Sequence, residues 1–167
     1  GDTVLMTPIL TVMKRVPGWQ VGVVIETPYE QMLADNSNVD QLFVIDNLPN
    51  KWLARLKVMR KIRAFRPTVA VDLHGGTTSA LLTALSGASK RVGYLKSRNA
   101  YLYNVQIPNS DKVWERQQVH TVEHQLSVLK HMGFPVEPIP SPQVHVGVDD
   151  QVSIRKMLAG VGVEGDF

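Results

Sequence analysis

The sequence contains no cysteine, which removes disulfides, cysteine-ligated zinc and thiol catalysis together. A fold built from it does not depend on an oxidising compartment. No apolar run approaches the ~20 residues needed to cross a bilayer as a helix, and the opening residues lack the basic and apolar regions of a signal peptide. The chain therefore reads as soluble. Internal repeats are also lacking, and the net charge over 167 residues is only +3.

What is present suits one ordinary domain, since 44% hydrophobic residues are enough to bury a core. The positive charges are uneven. Lys51, Arg55, Lys57, Arg60, Lys61, Arg63 and Arg66 place seven of the eighteen Lys and Arg residues in one segment. A basic helix can meet anionic lipid, nucleic acid or an acidic substrate, yet the simpler reading for most of it is a solvated face.

Along the chain, strand-like and helical patterns alternate. An opening helix of about four turns presents Val4, Leu5, Pro8, Ile9, Val12, Met13 and Val16, and ends at Pro17-Gly18. QVGVVIE (20–26) and QLFVI (41–45) read as strands, with a short helix from Tyr29 to about Ala34 between them. Lys51 to Phe65 reads as an amphipathic helix offering Trp52, Leu53, Leu56, Met59, Ile62 and Phe65 to the core. Thr68 to Leu73 is continuously apolar, as in a parallel strand buried on both faces.

A Gly-Gly turn, a helix to about Ser86 and a strand from Arg91 to Tyr94 follow. Leu95 to Arg116 reads as irregular, Val119 to Met132 as a helix, and PVEPIPSP (135–142) as a linker. Asp149-Asp150 are placed to cap a last helix. The alternation predicts a doubly wound, mainly parallel, Rossmann-like α/β sheet. A helix opens the chain where such a domain should supply a strand, so the expectation includes a missing first strand and a break in the sheet.

Three constellations bear on chemistry. Asp72-Leu73-His74-Gly75-Gly76 is a Gly-rich strand-to-helix turn, but it is neither G-x-G-x-x-G nor a P-loop, and its spacing favours a structural corner. Asp72 reads as a turn-forming carboxylate. His120-Thr121-Val122-Glu123-His124 matches the H-x-x-E-H string of inverted zinc peptidases, yet the α/β surroundings give no such context and the histidines read as ordinary polar groups. Asp2 precedes the first helix, where it could cap the helix or serve as a general base at the sheet edge.

Several pieces together resemble the family 9 glycosyltransferases, the ADP-heptose:lipopolysaccharide heptosyltransferases. They are Gly1-Asp2 with Val4-Leu5-Met6-Thr7-Pro8-Ile9-Leu10, then Val71-Asp72-Leu73-His74-Gly75-Gly76 with Ser79-Ala80-Leu81-Leu82. Arg91-Val92-Gly93-Tyr94 follows, then His120-Thr121-Val122-Glu123 with Leu129 and Met132-Gly133. The resemblance implies the N-terminal acceptor-binding half of a GT-B enzyme, with residues 1–134 as the acceptor domain and 135–167 leading toward a C-terminal donor domain.

It further implies that Asp2 is the catalytic base of an inverting transfer of heptose from ADP-heptose to the lipopolysaccharide inner core, with no metal and no cofactor. Lys51, Arg55, Gly75, Gly76, Ser79, Arg98 and His120 match the acceptor side of the pattern. The chain departs from it at Thr78, where some relatives carry a basic residue before the serine. The implied location is the cytoplasmic face of the inner membrane, with peripheral contact and no nucleic-acid partner. The competing expectation is a non-catalytic Rossmann-like module that holds a phosphate or nucleotide at the Gly-Gly turn.

Overall fold

A computed structural model describes residues 2–46, 51–144 and 147–160. The opening helix is broken at Met6 into α1 (Asp2–Leu5) and α2 (Thr7–Lys14), so the single four-turn helix expected from the pattern is two pieces. Pro8 lies in the first turn of α2, where its missing N–H costs nothing. Strands β1 (Gly22–Glu26) and β2 (Gln41–Ile45) pair in parallel, with a 3-10 turn at Tyr29–Met32 between them.

Helix α3 (Lys51–Phe65) leads to β3 (Val69–Val71), and α4 (Thr77–Leu85) leads to β4 (Lys90–Tyr94). The segment expected to be irregular holds a 3-10 turn (Ala100–Leu102), a third parallel strand β5 (Val105–Ile107) and the short helix α5 (Ser110–Trp114). Helices α6 (Thr121–His131) and α7 (Val148–Gly160) complete the order. Every strand pair is parallel, and the sheet is in two parts, β1-β2 and β3-β4-β5.

β1 and β3 are each hydrogen-bonded on one side only among the described residues. Val69, Ala70 and Val71 are accordingly half-buried, a correction to the expectation of a strand covered on both faces. What joins the two parts is helix packing. On one face α2 and α6 close over β1, with Ile9, Leu10, Val12, Val23, Ile25, Leu126 and Leu129 in one cluster. On the other, α3 and α4 meet β2 through Phe43, Ile45, Val58, Met59, Ile62 and Leu82.

Helix α6 also reaches the second part of the sheet, where Val128 packs with Val92 of β4 and Ile107 of β5. Leu126, Val128 and Leu129 are essentially sealed, and each such side chain contributes roughly 1.5–3 kcal/mol by burial. The start of α6 is fixed by a reciprocal cap. Val122 N–H donates to His120 Nδ1 (3.3 Å), and His120 N–H donates to the Glu123 carboxylate (2.9 Å).

The proline-rich stretch after α6 lies against the domain. Val136 is in the core, Arg15 donates to the Pro138 carbonyl (3.0 Å), and Gln143 N–H donates to Thr7 Oγ1 (2.9 Å). Helix α3 departs from its reading. Ala54, Val58, Met59 and Ile62 are buried, whereas Trp52, Leu53 and Leu56, which the pattern assigned to the core, are exposed.

Candidate functional site

Loops that follow parallel strands converge at the carboxyl edge of a sheet, the usual ligand side of open α/β folds. Here the segments after β3, β4 and β5, together with α6, surround a cleft of about 340 Å3. It is lined by His74 and Gly75 after β3, Tyr94, Lys96 and Ser97 at the end of β4, Asn109, Ser110 and Asp111 after β5, and His124.

The first wall is built on Asp72. Its carboxylate accepts from the N–H groups of His74 (2.9 Å) and Gly75 (2.8 Å) through one oxygen and from the Tyr103 hydroxyl (2.7 Å) through the other. Asp72 is buried, so this set of donors is what allows a carboxylate to remain there. Gly75 takes a left-handed φ of 72°, which favours glycine, and its carbonyl accepts from Ser97 Oγ (3.1 Å). The turn is thus tied both to its own strand end and to the next loop. Two amides that a phosphate cradle would use are already committed to Asp72.

Tyr103 reaches Asp72 by crossing β4 at Gly93. A Cβ on Gly93 would lie 2.3 Å from the Tyr103 ring, so only glycine lets the ring pass. Burial, followed by the bond to Asp72, pushes the Tyr103 hydroxyl well above its ordinary pKa, and it stays a proton donor.

The second wall is α6. His124 stacks on Tyr94 with ring centres 4.4 Å apart, and its Nδ1 lies 3.0 Å from Ser110 Oγ. The Tyr94 hydroxyl donates to the His124 carbonyl (3.1 Å). Burial lowers the imidazole pKa and raises that of Tyr94, so both rings are neutral near pH 7. Trp114 fastens α5 to α6 by donating Nε1 to the Glu123 carbonyl (2.8 Å) and Ser127 Oγ (3.0 Å), with the Lys130 ammonium 4.1 Å from its ring centre. That anchor holds Ser110 and Asp111 at the cleft.

Of the residues picked out by sequence, Gly75 lines this cleft. Gly76 and Ser79 stand beside it at the start of α4, where the Ser79 hydroxyl donates to the Gly76 carbonyl (2.9 Å). Arg98 is exposed on the turn after Ser97. His120 is the cap of α6, one turn before His124. Asp2 is exposed on α1, which packs against the turn at Tyr29–Met32 that follows β1, so it too is near the carboxyl side.

Arg55 is half-buried on α3, with its Nε shielded and without a hydrogen-bond partner among the described residues. Lys51 opens α3, and its side chain lies outside the described set. The cleft does not gather Asp2, Arg55 and Arg98. The H-x-x-E-H string is spent on folding. Glu123 is taken by the His120 N–H and by Arg116, which hold its carboxyl below the usual range, and the two imidazoles serve the cap and the Tyr94 stack. Among the described residues, no three His, Asp or Glu side chains converge on a common metal position.

Tyr94, Lys96, Ser97, Ser110, Asp111 and His124 were not anticipated as site residues. For 109–111 the missing signal was β5. With its position known, the rule that successive loops share an edge would have brought 109–111 beside 74–75 and 96–97. Hydroxyls, an amide, two imidazoles and one charge of each sign give donors and acceptors in every direction, an arrangement suited to a polar, hydroxyl-rich ligand.

No protein-family profile and no curated protein sequence matches the chain. Solved structures do. The chain is similar to the glycosyl transferase family 9 protein from Veillonella parvula DSM 2008, at a TM-score of 0.84 and 20% identity over 98% of this chain and 47% of that one. It is also similar to the ADP-heptose lps heptosyltransferase II of E. coli, at a TM-score of 0.68 and 17% identity over 95% of this chain and 47% of that one. The chain spans about half the length of each, and the likeness establishes its fold as a Rossmann-like α/β domain.

Proposed function

We propose that this chain is the acceptor-binding half of an inverting glycosyltransferase that transfers heptose from ADP-heptose to the lipopolysaccharide inner core. In this reading residues 1–134 hold the acceptor, and 135–167 lead toward a donor-binding domain. The observation behind it is a polar cleft at the carboxyl edge of a fold that aligns over 98% of its length with a family 9 glycosyltransferase structure.

Asp2 acts as general base. It takes the proton from an acceptor hydroxyl as that oxygen attacks the anomeric carbon of the donor, the bond to the diphosphate breaks, and ADP leaves with inversion. The residues around the Gly-Gly turn position the sugar. Gly75, Gly76 and Ser79 let the acceptor approach the backbone, while Lys51, Arg55, Arg98 and His120 meet its carboxylates or phosphates. The orphaned Arg55 Nε supports an anionic ligand, because an acceptor oxygen there would relieve an unmet buried donor. The acceptor is lipid-linked, which sets the enzyme at the cytoplasmic face of the inner membrane.

The test uses a protein carrying both halves. Asp2→Asn should lower ADP release with a lipopolysaccharide core acceptor by about 100-fold or more, with the acceptor still bound. Undiminished turnover would remove Asp2 as base. The separate chain should bind the core acceptor in calorimetry and show no binding of ADP; the reverse preference would overturn the assignment of this half.

A further inference from the structure

Helix α3 sends three large apolar side chains into water. Trp52 is 63% exposed, Leu53 41% and Leu56 44%, although an amphipathic pattern should have turned them inward. They occupy the first two turns, and exposed Arg60 and Arg63 continue the same face toward the helix end, with exposed Lys57 at its flank. At 3.6 residues per turn, Trp52, Leu53, Leu56, Arg60 and Arg63 fall within an arc of about 100°. Ala54, Val58 and Ile62 occupy the opposite, buried side.

The stretch from Lys51 to Arg66 has seven cations and no carboxylate. Asp46, which shares a groove of about 360 Å3 with Leu53, Lys57, Arg60 and Lys61, adds one negative charge at the flank. A solvated face accounts for the cations, but it gives no place to a tryptophan and two leucines beside them. Nucleic acid would satisfy the charges and leave Leu53 and Leu56 unburied.

An anionic bilayer supplies both halves of the complement. Its headgroup phosphates meet Lys and Arg, and its interfacial layer accepts Trp and Leu from a helix lying in the plane. No described helix is long and apolar enough to cross a membrane, so the contact is one of lying on the surface.

We infer that the outer face of α3 docks on an anionic lipid surface, with Trp52, Leu53 and Leu56 entering the headgroup layer and Arg60 and Arg63, flanked by Lys57, meeting lipid phosphates. This contact deepens the membrane setting of the proposed function and rests on that reading, while its vesicle test can fail independently of the Asp2→Asn transfer assay.

Vesicle co-sedimentation of the purified protein tests it. Phosphatidylcholine vesicles containing phosphatidylglycerol should bind the protein, pure phosphatidylcholine should bind it far less, and added salt should release it. Lys57→Gln, Arg60→Gln and Arg63→Gln together should weaken the partition roughly 100-fold. Leu53→Ser with Leu56→Ser should weaken it at least about 10-fold. The vesicle-dependent change in tryptophan emission should vanish in Trp52→Phe while Trp19 and Trp114 still report the fold.

Absence of binding to anionic vesicles by the unaltered protein would overturn the inference, as would binding unchanged in these variants. Tighter binding to single-stranded RNA than to the vesicles, lost in the same glutamine variant, would also overturn it. Far-ultraviolet circular dichroism confirms that each surface variant is folded, and the salt and lipid dependence of the unaltered protein needs no variant at all.

Discussion

At the scale of single residues, the cleft rests on contacts that pass through Asp72. Tyr103→Phe deletes one of its three donors and should destabilise the fold by about 1–3 kcal/mol in urea denaturation. Gly93→Ala forces the Tyr103 ring aside and should cost a similar amount, about 1–3 kcal/mol. Because both act on one contact, their combined effect should be less than the sum.

His124 gives a pH dependence of defined sign. Burial holds its folded-state pKa below the ordinary 6.5, so the unfolded chain binds more protons as the pH falls through that value. Stability should decline from pH 6.5 downward and level off below the lowered folded pKa. His124→Gln should flatten this part of a stability profile measured by chemical denaturation, and an unchanged slope would show that another group governs it.

At the scale of elements, the cap of α6 is the clearest join between sequence and structure. Glu123→Ala removes the side chain that accepts from His120 N–H and pairs with Arg116, and a loss of about 1 kcal/mol is expected in thermal or urea melts. The same residues invite a zinc-site reading from their spacing alone. The strands β1 and β2 and the helix α3 were legible because their periodicity runs for five residues or more between clear breakers.

β5 was not legible, since Val105–Ile107 has only three residues and takes its identity from pairing with β4. The inward side of α3 was also ambiguous. Apolar side chains fall around much of its circumference, Trp52, Leu53 and Leu56 on one side and Ala54, Val58 and Ile62 on the other, and the packing of β2 and α4 decides which side turns inward. A third of the cleft lining was hidden for the same reason as β5, because Asn109–Asp111 reach it only through that pairing.

At the scale of the whole molecule, alternation of strand and helix made the architecture readable, whereas the site depends on which loops the topology brings together. In α7, Val152, Ile154 and Met157 are exposed, and a 13-residue helix that keeps such side chains in water is marginal. Hydrogen exchange should therefore be fast in α7 and slow in α6, and equal protection would contradict this. Helix α6 packs on both parts of the sheet, with Leu126 against β1 and Val128 against β4 and β5. During synthesis on the ribosome, residues 22–107 leave the exit tunnel before 121–131 do. Until α6 follows, the apolar surface that it covers on β1, β4 and β5 stays open, and that interval is when a chaperone has most to cover.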